Sequence, residues 1–112
     1  MTIKEEIIMF DTLIRSMSTT FAKKRHDYGQ TTTETYEKFG PVSMLTRMHD
    51  KMGRLDNLLV TGDVNLVSDE KIEDTLLDLA NYALITIIEM RKQEMKAEAK
   101  KIWQDESTLA KI

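Results

Sequence analysis

The stretch Ser68–Trp103, SDEKIEDTLLDLANYALITIIEMRKQEMKAEAKKIW, decides the fold. Ile72, Leu76, Leu79, Ala80, Ala83, Leu84, Ile87 and Ile88 recur at helical spacing and leave the segment apolar around most of its circumference, the pattern of a helix buried on several sides. Ser68 is suited to cap it, and Asp69 and Glu70 complement the positive end of the dipole. No glycine or proline follows Gly62, so the helix is expected over about 68–104, a rod of roughly 35 residues and about 50 Å. That outruns a small bundle. Its later half keeps a seam of Ile88, Met95, Ala99 and Ile102 between charged residues, as a partner helix requires. The partner is either another copy of the chain or the chain's own N-terminal helix packed back on the seam.

Working outward, Gly40-Pro41 marks the entry to another helix, over about 41–60, because proline is tolerated at the first helical position. Its apolar stripe is Met44, Met48, Met52, Leu55 and Leu59. Gly53 lies beside the stripe, where a side chain would obstruct a neighbouring backbone, and Thr61-Gly62-Asp63 closes the helix. At the N-terminus Ile3, Ile7, Phe10, Ile14, Met17 and Phe21 alternate steps of four and three, and Thr2 with Glu5 forms a capping box, giving a helix over about 2–24. Between them, residues 26–40 read mostly as loop, with a short helical turn at Glu34–Lys38. Asp27-Tyr28-Gly29-Gln30 followed by three threonines offers turn chemistry and β-branched residues without a sustained face. The expectation is one all-α domain over 1–112, a small helical bundle with a long third helix, completed by oligomerisation.

Composition agrees and limits the function. A chain of 112 residues makes a modest core unless another chain completes it. The absence of cysteine removes disulfides, thiolate nucleophiles and cysteine-type zinc sites, and is compatible with a cytoplasmic protein. The N-terminus reads as neither a signal peptide nor an anchor, and no apolar run is long enough to span a membrane. A net charge of -3 argues against general nucleic-acid binding, whereas a small anion needs only a local basic patch.

The second and third helices carry opposite charges on regular faces: Arg47, Asp50, Lys51 and Arg54 on one; Glu70, Asp74, Asp78 and Asn81 on the other. Asp78 is the sharpest clue, because apolar residues flank it on both sides and a lone buried carboxylate is costly. Either a magnesium ion held by Asp50, Glu70, Asp74 and Asp78 compensates it, or Lys51 or Arg54 does so as an ion pair. Arg47, Lys51 and Arg54 are equally a solvated face, partners for the acids, or a clamp for phosphate. The cluster Lys23-Lys24-Arg25-His26 precedes Asp27-Tyr28-Gly29, and with Tyr28, Tyr36 and Phe39 it supplies charge for a phosphate and rings for a base. Those rings serve equally as core pegs. Asn57 and Asn81 either contact a base edge or stitch helices together. His26 and His49 have no metal-ligand spacing, and no phosphate-binding glycine loop occurs.

Lys24 with Asp27-Tyr28-Gly29, Phe39-Gly40, Arg47, Asp50-Lys51, Arg54-Leu55, Asn57-Leu58, Glu70, Asp74-Thr75, Asp78-Leu79 and Asn81-Tyr82 together resemble the nucleotide modification associated domain 1 family, common in phages and prophages. The resemblance implies a small helical protein of nucleotide metabolism or modification, acting in the host cytoplasm if phage-encoded. More distantly, Asp74 and Asp78 are similar to the second-helix acids of MazG- and dCTPase-type all-α nucleotide pyrophosphatases, which hold magnesium against a triphosphate. Those acids are spaced three apart in that group and four here, and Asp50-Lys51 and Arg54 replace its Glu-rich first motif. The expected ligand is therefore a phosphorylated nucleotide, contacted by Lys24, Asp27, Tyr28, Arg47, Lys51, Arg54, Asn57 and Asn81. It is bound in metabolism or sequestered as a signal of host defence, or else hydrolysed with magnesium. The remaining alternative is a non-catalytic assembly module.

Overall fold

The computed structural model describes residues 1–61 and 69–110, with side chains described for 1–60 and 71–106. It is all-α: α1 Ile3–Tyr28, α2 Thr31–Phe39, α3 Val42–Asp56 with a π turn at Asn57–Thr61, and α4 Asp69–Ala110. The Thr2–Glu5 capping box starts α1, each backbone amide donating to the other's side chain at 3.1 Å. Gly29 ends α1 at φ +57, its amide donating to Arg25 O, and Gly40 ends α2 at φ +76, its amide donating to Tyr36 O. Both breaks need a residue free to adopt positive φ, which glycine does without a Cβ penalty. Pro41 turns the chain into α3, its carbonyl accepting from the amides of Met44 and Leu45.

Three sequence expectations change. Residues 31–39 are helical rather than mostly loop, because Thr33 and Tyr36, one turn apart, are both buried against neighbours, and tertiary contact overrides the weak propensity of threonine. A Cβ at Gly53 would meet nothing within 4 Å, so that glycine does not make room for a backbone in this chain. The long helix, at 42 residues or about 63 Å, extends past its expected end, and it is not buried on several sides, since Leu76, Leu84 and Ile87 are exposed. The expected Ser68 cap and the Gly62-Asp63 closure lie outside the described residues.

Packing concentrates where α3 lies against α4, with α2 joining from one side and α1 crossing. Among the described residues, Met17, Tyr36, Met44 and Leu55 are the buried apolar ones, Met44 the most deeply. Polar clamps fasten the helices around them. Asp78 on α4 takes Lys24 of α1 on Oδ1 at 3.5 Å and Lys51 of α3 on Oδ2 at 3.3 Å. Glu89 on α4 takes Thr33 of α2, and Lys96 on α4 pairs with Glu37 of α2. The chain is extended, 72 × 34 × 24 Å with a radius of gyration of 19.6 Å, where a compact chain of this length has about 13 Å. The excess lies in the first half of α1 and the last third of α4. Their seam residues Ile3, Ile7, Phe10, Ile14, Met95, Ala99 and Ile102 are exposed, so α1 does not cover the α4 seam within the chain. No helix of the described residues is long and apolar enough to cross a membrane.

Candidate functional site

Where α1 ends, α2 begins and α3 faces α4, the helices leave a cavity of about 360 Å³. The α1 end contributes Phe21, Lys24, Arg25 and Tyr28, and the Gly29 break turns the chain so that Thr31 and Thr32 form the rim. From α3 come Met44 and Arg47; from α4 come Tyr82, Ile85, Ile88, Glu89 and Lys92, spaced to place them on one side of the helix. The volume falls in the range of small-ligand sites, and the lining has their usual make-up, apolar walls with a few placed charges.

Its charges are unevenly compensated. The Lys24 ammonium is held by Asp78, and the Lys92 ammonium lies 3.2 Å from Glu89 Oε1 and 2.9 Å from Thr33 Oγ1. Arg25 and Arg47, both half-buried, have no carboxylate within ion-pair distance among the described residues. Instead the Arg47 guanidinium lies over the Tyr82 ring, 5.8 Å from its centre, which holds the fork in one orientation. Glu89 is the opposite case. Its side chain is only 3% exposed; Oε1 accepts from Thr33 Oγ1 at 2.9 Å and from Lys92, while Oε2, like Gln93 Nε2 one turn along α4, is buried without a hydrogen-bond partner among the described residues.

Of the residues expected to contact a ligand, Lys24, Tyr28 and Arg47 come together here. The others stand apart. Asp27 is exposed beside His26 at 3.7 Å; Lys51 is committed to Asp78; Arg54 is exposed; Asn57 sits in the π turn; none of these, nor Asn81, lines the cavity. Tyr36 is a core residue, while Phe39 is exposed with the Lys38 ammonium over its ring.

Among the expected metal ligands, Asp50 and Asp74 are exposed, and the side chain of Glu70 lies outside the described residues. Asp78 is half-buried, and both its oxygens face ammonium groups, Lys51 rather than Arg54 being its α3 partner. Among the described residues no three His, Asp or Glu side chains are grouped to share a cation, and no chemistry is routed through a metal.

Arg25, Glu89 and Lys92 were absent from the expected contacts. Arg25 belongs to the basic cluster Lys23-Lys24-Arg25-His26 that the sequence offers as charge for a phosphate, without being singled out from it. Glu89 carries the same signal that drew attention to Asp78, an acid inside the apolar run Ile85–Met90, and that signal was available.

The sequence model of the nucleotide modification associated domain 1 family matches residues 24–90, more than half of the chain and every cavity-lining residue except Phe21 and Lys92. The chain belongs to that family. No curated protein and no solved structure matches it. The family's match begins at Lys24, the first cation of the cavity, and leaves out the seams of both projecting helix ends.

Proposed function

We propose that the cavity binds a phosphorylated nucleotide, with Arg47, Arg25 and Lys24 on the phosphates and Tyr28 or Tyr82 against the base. The observation that carries this is the pair of half-buried arginines, Arg25 and Arg47, that share the cavity wall with no carboxylate at ion-pair distance among the described residues. Guanidinium groups match phosphate oxygens in charge and geometry, and a stacked arginine is oriented in advance. The aromatic and aliphatic walls suit a planar base. Family membership supports the same reading through nucleotide modification, the association its name carries.

Binding without turnover is the reading the geometry favours, because the acid that a magnesium-dependent pyrophosphohydrolase would use, Asp78, serves as the anchor of two lysines. The protein then holds a nucleotide for phage-type metabolism or modification, or sequesters a nucleotide signal of host defence. Calorimetry and thermal shift with nucleoside mono-, di- and triphosphates and cyclic dinucleotides test this, with and without magnesium. A bound nucleotide raises the melting temperature, and Arg47→Ala weakens it about 10- to 100-fold. No shift at millimolar ligand across the panel removes the nucleotide reading. Release of phosphate or pyrophosphate with magnesium restores the hydrolase one.

The same proposal includes a homo-oligomer. Apolar seams at helical spacing on two projecting helix ends are what a second copy would cover, and the small core of the single chain leaves stability to be gained there.

A further inference from the structure

The outer face of α3 has a spacing that reads the same in both directions. From Leu45 through His49, Met52, Gly53 and Asp56 to Val60 the steps are four, three, one, three and four, which sets these residues on one side of the helix and its π turn. All six are exposed. Leu45, Met52 and Val60 are apolar residues that the chain leaves uncovered, and His49 and Asp56, two turns apart, have no ion-pair partner among the described residues. Gly53 stands at the centre. Glycine is unfavourable inside a helix, yet the φ of Gly53 is not positive and a Cβ there would meet nothing within 4 Å, so neither its backbone conformation nor packing within the chain asks for it. Beside it, α3 and the start of α4 leave an open groove of about 540 Å³ whose lining includes Leu55, Leu76 and Leu79.

We infer that this face is a two-fold interface with a second copy of the chain, α3 against α3 in antiparallel register about Met52-Gly53. A two-fold contact pairs one residue with another and the second with the first, so a face symmetric about its centre is what it requires. Antiparallel pairing about this centre brings His49 level with the partner's Asp56, and Asp56 level with the partner's His49. Each imidazole then donates to a carboxylate. The same register brings Leu45 level with the partner's Val60. A parallel pair would instead set His49 against His49 and Asp56 against Asp56, like charges facing. Gly53 leaves the backbone bare where the helices meet, which lets their axes approach closely. This face is separate from the seams of the projecting helix ends. It engages fewer than the roughly 20–30 residues a side of a standard stable interface, so it adds to an assembly held by those seams and rests on the homo-oligomer reading in that respect.

The chain has no cysteine, so one introduced thiol reports the contact. Full-length Gly53→Cys under mild oxidation becomes mostly a disulfide-linked dimer, because the two positions meet beside the two-fold axis. Arg54→Cys, exposed on the same helix but turned away from the symmetric face, forms little of it. In the Gly53→Cys protein, His49→Asp sets carboxylates against each other at both ends of the contact and slows dimer formation about tenfold; adding Asp56→His brings the rate back to within about threefold, since the exchange restores the pairs in the antiparallel register. If Gly53→Cys does not fold, as judged by circular dichroism, Met52→Cys at the same centre serves in its place. Oligomeric wild-type protein in which Gly53→Cys cross-links no faster than Arg54→Cys overturns the inference and leaves the seams standing. A rate that His49→Asp leaves unchanged, or that Asp56→His does not recover, overturns it as well. Wild-type protein that is monomeric by light scattering, with no cross-linking of Gly53→Cys, removes both this interface and the homo-oligomer.

Discussion

The middle of the molecule and its two projecting helix ends are incomplete in opposite ways. Between residues 24 and 90, the stretch matched by the family, α1, α3 and α4 are tied through Asp78, and α2 is tied to α4 through Glu89, with Met44 and Tyr36 beneath. Among the described residues the open partnerships around its cavity are polar: Arg25 and Arg47 have no carboxylate at ion-pair distance, and Glu89 Oε2 has no hydrogen-bond donor. The first half of α1 and the last third of α4 have charged flanks facing water, and what they lack is apolar, since Phe10 is 64% and Met95 70% exposed. A cavity with apolar walls and a few placed charges suits a small ligand, whereas an apolar seam suits another helix. The contrast separates the ligand site from the seams that project beyond it.

The largest expected effect lies in the projecting ends. Full-length protein should be an oligomer by native mass spectrometry and light scattering, and Phe10→Asp or truncation after Arg91 should reduce its size, because a charge or a missing turn in the seam removes what a partner helix buries. Monomeric wild-type protein at tens of micromolar would break the comparison at its root.

Next is the core of the middle. Met44→Ala removes a side chain that is 1% exposed, and should cost about 2–4 kcal/mol in urea unfolding. In protein kept monomeric by the truncation, Ile7→Ala should change stability by about 0.5 kcal/mol or less, since an exposed side chain loses little on being shortened. Similar costs at the two positions in that monomer would mean that α1 is covered within the chain.

How legible each region was in the sequence follows from what holds it. The seams of α1 and α4 are runs of Ile, Leu, Met and Phe at helical steps, and apolar periodicity is the signal that a sequence displays best. The helix α2 hid because its buried face is Thr33 and Tyr36, and Thr33 is buried for its hydrogen bond to an acid 56 residues away. Local spacing carries no trace of that. Asp78 was singled out and its possible α3 partner narrowed to Lys51 or Arg54, but Lys24, from a helix far earlier in the chain, could not be paired with it by spacing. The cavity is assembled from four helices and a glycine turn, so spacing exposed Lys24, Tyr28 and Arg47 while leaving their convergence invisible.

A smaller effect is expected at Asp78, which separates anchor from metal ligand. Asp78→Asn should cost about 1 kcal/mol, because its partners Lys24 and Lys51 remain partly in contact with water and can be solvated when the charge is lost. The loss should shrink in high salt and be the same with or without magnesium. Stabilisation of the wild type by magnesium that vanishes in Asp78→Asn would instead make the carboxylate a metal ligand.

The smallest effect concerns the pair that clips α2 to α4 at the surface. The Lys96 ammonium hydrogen-bonded to Glu37 holds that carboxyl below the ordinary glutamate range, outweighing the opposing effect of desolvation. A folded-state pKa below the unfolded one means that the unfolded chain binds the proton more readily. The stabilisation is therefore fully present above the unfolded value and is lost as the pH falls through the folded one. Comparing Glu37→Gln with wild type by urea unfolding, a small deficit in the variant at neutral pH should fade between about pH 5 and pH 3. Because the pair is open to solvent, 0.5 M salt should erase most of the difference at any pH. A deficit that persisted unchanged at pH 3 would show that Glu37 holds α2 through packing of its methylenes rather than through its charge. The clip between α2 and α4 would then be insensitive to acid.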